Sequence, residues 1–323
     1  MNRHLHRHRR NTNNNPQTIL NPPSVLIVII NWNNLQDTLA CLESLQKIDY
    51  ANYKILVVDN SADGNLKSEI HSRYPETLLV EAGSNLGFTG GNNLGLSYAL
   101  TQNIEFTLLL NADTEVDPLF LQHLVDALKS DDTAGIAGPS IYYYDQPQIF
   151  WSAGGEIDWQ RGDTRMAGIG EIENRQYGSA PRPVDFVSGC ALMIKMSITE
   201  KTGFLDDRFF AYYEEAEWCV RCARNGHRIL HVPQAKIWHK ISPESREASP
   251  LVHYYMTRNR LLFLRVTRAG IKPWINTLLF DFAKRLISWS IKPRWRYKRP
   301  QRAAMIRGLL DFASESFGKS PLY

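Results

Sequence analysis

Hydrophobic positions in this chain fall into short, wholly apolar runs separated by longer stretches in which apolar residues recur every three or four positions. Val25 to Ile30 is such a run, rich in β-branched residues, and reads as a strand buried on both faces. Leu39, Leu42 and Leu45 then follow at helical spacing. Lys54 to Val58 predicts a second strand, ending in Asp59-Asn60-Ser61 with a turn at Asp63-Gly64; Leu78 to Val80 predicts a short third one. Gly83 to Gly91 reads as a Gly/Asn-rich loop opening a helix that runs to about Thr101. Phe106 to Leu110 is a fourth strand. Asp117 and Pro118 supply an N-cap and a first helical residue for a helix with Phe120, Leu121, Leu124, Val125 and Leu128 on its apolar face. Strands alternating with helices predict an α/β fold with a doubly wound, mostly parallel sheet flanked by helices.

The pattern weakens from about Tyr142 to Pro183, where aromatics, Gly and turn signals suggest that the region includes flexible loops. It returns at Val184 to Gly189. A helix is expected from Glu214 to Asn225, closed by Gly226, then short strands at Arg228 to Val232 and Lys236 to Trp238. Helices are expected from about Pro250 onward. The resulting division is a disordered basic tail over 1–20, an α/β domain over 21–249, and a basic helical extension over 250–323.

Charge sharpens this division. The 323 residues carry a net charge of only +4, but residues 1–20 hold four arginines and no acid, and residues 271–323 hold eleven Lys/Arg against three acids. The body between them is left with 22 basic and 30 acidic residues. Two basic ends on an acidic body suit contact with something anionic, or simply good solvation. Trp274, Trp289 and Trp295 are interleaved with Lys284, Arg285, Lys292, Arg294, Arg296, Lys298 and Arg299, a pattern that suits an anionic membrane surface better than nucleic acid. The N-terminal segment lacks the apolar core of a secretory signal, and the longest aliphatic run is far short of the ~20 residues that span a bilayer. The four cysteines suggest no disulfide framework, and Cys219 and Cys222 lack the second pair that zinc would need.

The candidate chemistry gathers at strand ends, where open α/β sheets bind ligands. The run Leu108 to Leu110 delivers Asn111 and then Asp113 to a tip, where the carboxylate would meet a metal-bound diphosphate. Asn31-Trp32-Asn33 and Asp59-Asn60 end the first two strands and suit a nucleobase, although Asp59-Asn60-Ser61 alone is equally plain turn chemistry. Asn85, Gly87, Phe88, Gly90 and Asn92 belong to the glycine-rich helix entry, where a helix N-terminus favours phosphate. The loop has neither the Walker spacing nor a GxGxxG after the first strand, and an ordinary glycine entry is its plain reading. His239 follows a short strand and suits Mn²⁺ better than Mg²⁺, or is a structural histidine. Glu214, Glu215 and Glu217 open a helix behind an aromatic run. The helix dipole alone favours acids there, while apolar rings would raise a carboxyl pKa toward that of a general base.

Taken in order, VIINWNN, VVDNSADG, NLGFTGGNN, LLLNADT, VSGCALMI, GFLDDRFFAYYEEAEWCVR and IWH resemble an inverting, family 2 glycosyltransferase of GT-A fold, in its rhamnosyltransferase-like branch. The motifs cover residues 25 to about 240. The resemblance implies that Asn31 and Asp59 hold the nucleobase and ribose, and that Asn85 and the Gly87 to Asn92 loop line the nucleotide site. Asp113 and His239 would hold Mg²⁺ or Mn²⁺. Glu215 would be the base, flanked by Glu214 and Glu217. The chain departs from the family in carrying Glu-Glu-Ala-Glu where Glu-Asp-x-Asp is frequent, and in having no initial Asp before Asp113.

The reaction this implies is transfer of a sugar, with inversion, from a UDP- or dTDP-linked donor (rhamnose being one candidate) to a hydroxyl of a glycan or lipid-linked acceptor. The setting would be cell-surface polysaccharide synthesis, in the cytoplasm or at the inner face of the membrane. The alternatives are a catalytically inactive sugar-nucleotide or polysaccharide-binding relative, and a sugar-phosphate nucleotidyltransferase. Asn31-Trp32-Asn33 argues against the latter, which needs a basic Gly-rich loop after its first strand.

Overall fold

The computed structural model describes residues 22–61, 65–241 and 249–322. The basic tail over 1–20 and the turn expected at Asp63-Gly64 lie outside the described residues.

The first half follows the periodicity closely. Strands β1 (Val25–Asn31), β2 (Tyr53–Asp59), β3 (Leu78–Glu81) and β4 (Phe106–Asn111) alternate with helices α1 (Leu35–Leu45), α2 (Asn65–Arg73) and α3 (Gly87–Thr101). The short strand β5 (Thr114–Val116) and helix α4 (Phe120–Ser130) follow. Helix α4 starts two residues later than expected, because the Asp117 carboxylate accepts the Leu119 N–H at 2.9 Å in a local turn. The glycine-rich segment is also less of a loop than expected, since α3 already begins at Gly87.

Residues 142–183 hold more strand than expected, with turns and irregular backbone over 167–181. They form the end of β6 (Ala134–Tyr143), then β7 (Gln146–Ser152), the hairpin β8 (Gly155–Asp158) and β9 (Asp163–Met166), and β10 (Arg182–Pro183). Their aromatic residues are buried by sheet packing at Tyr142, Phe150 and Trp151, which hid the strand alternation in the sequence. Strand β11 (Ala191–Lys195), the short α5 (Thr199–Thr202), α6 (Glu214–Arg224) and β12 (Arg228–His239) complete this region. The two strands expected at 228–232 and 236–238 are one strand with a register shift between Val232 and Lys236.

The main sheet runs β10-β12-β6-β11-β4-β1-β2-β3. Six of these eight strands point the same way, β11 and β10 being the reversed ones. Burial on both faces explains the wholly apolar runs. Val25, Ile27 and Ile29 pack on one side with α1, α2 and α4, while Leu26 and Val28 pack on the other with α3 and α6. Parallel register aligns Asn31 with Asp59, and Ile30 with Asn111, so three polar strand ends share one edge.

The C-terminal region packs on the second face. Helix α7 (Pro250–Val266) contributes Leu262, Phe263 and Leu264 to that core. A rod follows: α8 (Ile271–Ile275), a π-helical stretch (Asn276–Ala283) and α9 (Lys284–Ile291), then a 3₁₀ turn (Pro293–Lys298) and α10 (Arg299–Ala313).

Helix α3 lies close on β1 because Gly95 has no side chain; a Cβ there would overlap both Val28 methyl groups. Gly95→Ala is therefore expected to lower stability by about 1–3 kcal/mol through overpacking. An unchanged midpoint in urea unfolding would refute this close approach.

Candidate active site

Two segments 126 residues apart meet at the end of β4. Strand β5 pairs antiparallel with the end of β12, setting Thr114 opposite His239. Asp113 immediately precedes β5, so its carboxylate faces the His239 ring, with Nε2 3.1 Å from Oδ1. The Lys240 N–H fixes the turn by donating to the Asp113 carbonyl at 2.9 Å. Burial pushes the Asp113 carboxyl up, but the His239 hydrogen bond and charge, with help from Lys240, outweigh it and leave the group below its ordinary value. The His239 Nδ1 atom is buried with no hydrogen-bond partner, and Trp151 meets the ring edge-on with centroids 4.9 Å apart.

The donor set suits a small divalent cation. Imidazole nitrogen and carboxylate oxygen bound to one ion at about 2.1 Å each lie about 3 Å apart, close to the observed separation. Among the described residues, no group of three or more His, Cys, Asp or Glu side chains could hold a metal. A cation here would take its remaining ligands from substrate oxygens and water.

Asp113 and His239 line a cavity of about 700 Å³ that also receives Asn60, Asn85, Asn111, Glu214 and Glu215. Gly87 and Phe88 line it as well. The remaining expected residues lie outside its lining. Asn31 donates to the Asp59 carboxylate at 2.9 Å and accepts from Thr38 at 3.0 Å, and Asp59 also accepts the Ser61 N–H at 2.9 Å. Asn31 and Asp59 thus stabilise one another beneath the surface, while neighbouring Asn60 presents a buried Oδ1 with no partner. Asn33 is exposed, with φ of 53°, and its N–H donates to Ser61 Oγ at 2.7 Å. The buried Asn92 amide donates to the Phe88 carbonyl at 3.0 Å, and Gly90 packs on Leu86. Glu217 forms an ion pair with Arg221 at 2.6 Å. Arg221 in turn donates to the Thr202 and Phe204 carbonyls, so Glu217 braces α6 against its neighbours.

The expected phosphate site at the start of α3 is already occupied by protein. The Phe210 carbonyl accepts the Phe88 and Thr89 N–H groups at 2.8 and 3.2 Å, and Asn85 Oδ1 accepts the Gly87 N–H at 2.8 Å. Gly87 is needed for this close contact, since its φ is +72° and a Cβ would come within 2.5 Å of the Phe210 carbonyl oxygen.

The aromatic turn before the acids is strained. Phe210, Tyr212 and Tyr213 all have φ between 66° and 73°, a region bulky residues avoid. Helix α7 holds it from behind. Arg258, fully buried, donates to the Arg208 and Phe209 carbonyls at 3.2 and 3.0 Å. Asn259 donates to the carbonyls of Phe209, Ala211 and Tyr212 at 2.7–2.9 Å. The turn hands over directly to α6, whose first residue, Glu214, is buried with one carboxylate oxygen unpartnered. Burial, reinforced by the Glu215 charge, pushes the Glu214 carboxyl well above its ordinary value. Glu215 is half-buried beside Gly189, whose missing side chain leaves room for Phe88 and the Glu215 stem.

Periodicity gave no sign of Trp32, Trp151, Ser188, Tyr255 or Lys319, which also line the cavity. Lys319 and Tyr255 come from the region expected to be an extension, so α7 and the C-terminal residues complete the wall. A second cavity of about 720 Å³ adjoins the first, sharing Met166 and Val252 and lined further by Glu156, Asp163, His253 and Arg260.

Residues 26–203 match the family described as glycosyl transferase family 2. The low-salt glycan biosynthesis hexosyltransferase Agl10 of Haloferax volcanii is 28% identical over 76% of this chain and 76% of its own. The dTDP-rhamnosyl transferase RfbF of Shigella flexneri is 24% identical over 80% of this chain and 86% of its own. The N-acetylglucosaminyl-diphospho-decaprenol L-rhamnosyltransferase of Mycobacterium tuberculosis is 26% identical over 61% and 70%. Among solved structures, the mannosyltransferase PcManGT of Pyrobaculum calidifontis, in complex with GDP-Man and Mn²⁺, superposes with a TM-score of 0.56 at 14% identity, covering 91% of this chain and 88% of that one. The fold is the GT-A fold.

Two outcomes follow from this geometry. Asn259→Leu takes the side-chain donor from the Ala211 and Tyr212 carbonyls, while Phe209 keeps Arg258, and should cost about 2 kcal/mol or more; a urea midpoint equal to that of the wild type would refute the bracing role. Glu214 in the native state keeps a proton that the unfolded chain releases above pH 4.5. Its contribution to stability is full below pH 4.5 and is lost as pH rises through the raised native value. Glu214→Gln cannot titrate, so its stability relative to wild type should grow from pH 4.5 toward neutrality; a constant difference across that range would contradict the assignment.

Proposed function

Because this chain belongs to glycosyl transferase family 2, we propose that its first cavity binds a nucleotide-diphospho-sugar and passes the sugar, with inversion, to a hydroxyl presented from the second cavity. One observation carries this reading: the Asp113–His239 pair and the Glu214–Glu215 pair line the same cavity, whose volume of about 700 Å³ suits a nucleotide sugar. The donor is UDP- or dTDP-linked, and the rhamnosyl-transferring relatives favour rhamnose. The acceptor is a glycan or a lipid-linked glycan, as the decaprenol-linked substrate in one relative's name suggests. Such an acceptor would bring the enzyme to the cytoplasmic face of a membrane, in cell-surface polysaccharide synthesis.

Asn60 and Asn85 offer polar atoms to the nucleoside, with Asn31 and Asp59 fixing the strand ends beneath them. Asp113 and His239 would hold Mn²⁺ or Mg²⁺, which would supply positive charge to the departing diphosphate. Glu215 accepts the proton of the acceptor hydroxyl. The freed oxygen forms its bond to the anomeric carbon as the bond to the diphosphate oxygen breaks, and the configuration inverts. Burial pushes the Glu214 carboxyl well above its ordinary value and so favours its neutral form beside Glu215. Glu217 acts on the site only by holding α6.

Thermal melting with UDP, dTDP and GDP, each with and without Mn²⁺, tests the donor assignment. A metal-dependent rise with UDP or dTDP, abolished in Asp113→Asn, is expected. Glu215→Gln should keep that rise while product formation falls about 10²–10⁴-fold. A rise without any turnover by the wild type would instead identify a binding relative, and no rise with any diphosphate would sink the proposal.

A further inference from the structure

We infer that the rod formed by α8, the π-helical stretch and α9 lies flat on an anionic lipid bilayer. Ile271, Ile275, Leu279, Ile287 and Ile291 are 72, 43, 60, 58 and 70% exposed. With Ala283 they occupy every fourth position of the rod. On an α-helix of 3.6 residues per turn, such a row drifts about 40° per step and would wind about 200° round the axis over five steps. The π-helical stretch turns more widely, with i→i+5 bonding, and drifts the other way. Placed at Asn276–Ala283, midway along the row, it brings Leu279 and Ala283 back into line. The result is an apolar band that winds far less than on an α-helix and is broadened by exposed Leu278 and Phe280, while Pro273, Thr277 and Phe282 face the protein.

The rim of the band identifies its occupant. Lys272, Lys284 and Lys292 are exposed along it, and the following 3₁₀ turn adds exposed Arg294, Arg296 and Tyr297. Arg294 stacks over Trp295 at 5.1 Å, an amphipathic pairing suited to a lipid headgroup layer. An apolar band with a basic rim matches acyl chains beneath anionic headgroups. A nucleic acid would leave the isoleucines unpartnered, and a second copy would set two basic rims together. Among the described residues, no helix is long and apolar enough to cross a membrane, so the contact is at the surface. On the rod's other side, Phe282 and Arg285 line the second cavity. Docking would thus hold that cavity against the lipid surface, where a lipid-linked acceptor enters; this last step rests on the transferase reading.

The test is co-sedimentation of the full chain with vesicles of phosphatidylglycerol and phosphatidylcholine, against phosphatidylcholine alone. Two double variants accompany it, Leu279→Glu with Ile287→Glu, and Lys272→Glu with Lys284→Glu. All four side chains are exposed, and melting temperature checks that both variants fold. Binding to the anionic vesicles, weakened about tenfold or more by either pair, is expected. Wild-type protein that stays in solution, or binding that both pairs leave intact, would overturn the inference. So would self-association, seen by light scattering, that the apolar pair alone abolishes, or binding to duplex DNA without binding to vesicles. Vesicle binding without stabilisation by any nucleotide would leave the docking face standing and sink the transferase reading. Nucleotide stabilisation without vesicle binding would do the reverse.

Discussion

The site depends on a buried cation and amide that hold a strained turn. Arg258 and Asn259 sit side by side on α7 with no exposure to solvent, and between them they engage the carbonyls of residues 208, 209, 211 and 212. Three left-handed residues within four positions cost of order 1–3 kcal/mol each, and only an over-determined surrounding makes them persist. The strain does two things at once. It turns the Phe210 carbonyl toward the first amides of α3, and it launches α6 so that Glu214 and Glu215 enter the cavity. Charge on Arg258 cannot be shed, so its satisfaction by carbonyls and by Tyr254, which donates to Asp311, ties the C-terminal helices to the same turn.

This explains why some of the molecule was legible in the sequence and some was not. Strands buried on both faces leave aliphatic runs, and β1, β2 and β4 lie where those runs predicted them. Residue type at their ends pointed to the edge of the sheet that the cavity adjoins, because parallel register aligns strand tips. Asp113, His239, Glu214 and Glu215 were legible as residues placed after a strand or before a helix, and the structure brings them to one cavity. The role of Glu217 was not: acids in a first helical turn look alike until Arg221, one turn later, is seen to pair with one of them. Nor could periodicity show Tyr255 or Lys319 in the wall, since their position follows from how α7 docks, a tertiary fact. The 142–183 region was read less fully because β8, β9 and β10 are short and the buried aromatics of β6 and β7 obscure the alternation.

The same logic changes what the glycines do. A glycine-rich entry to a helix suggests amides offered to phosphate. Here Gly87 admits the Phe210 carbonyl, and Gly91 and Gly95 admit the side chains of β1. These glycines serve close packing of backbone on backbone and helix on sheet. The first amides of α3 are spent inside the protein, so the helix dipole reaches the cavity with its best donors already used.

That has an electrostatic consequence for the proposed reaction. A diphosphate leaving group gains charge as its bond to the sugar breaks, and some cation must meet it. With the α3 amides committed and the rim of the sheet supplying Asn60, Asn85 and Asn111 rather than Lys or Arg, the described cavity wall offers one lysine, Lys319. On the proposed reading, the Asp113–His239 pair would bring in further positive charge by holding a divalent ion. A carboxyl held below its ordinary value by its histidine suits that task, while burial pushes the Glu214 carboxyl well above its own and so disfavours a second negative charge beside Glu215, the proposed base. Burial and partners, rather than residue type alone, thus push the Asp113 and Glu214 carboxyls in opposite directions.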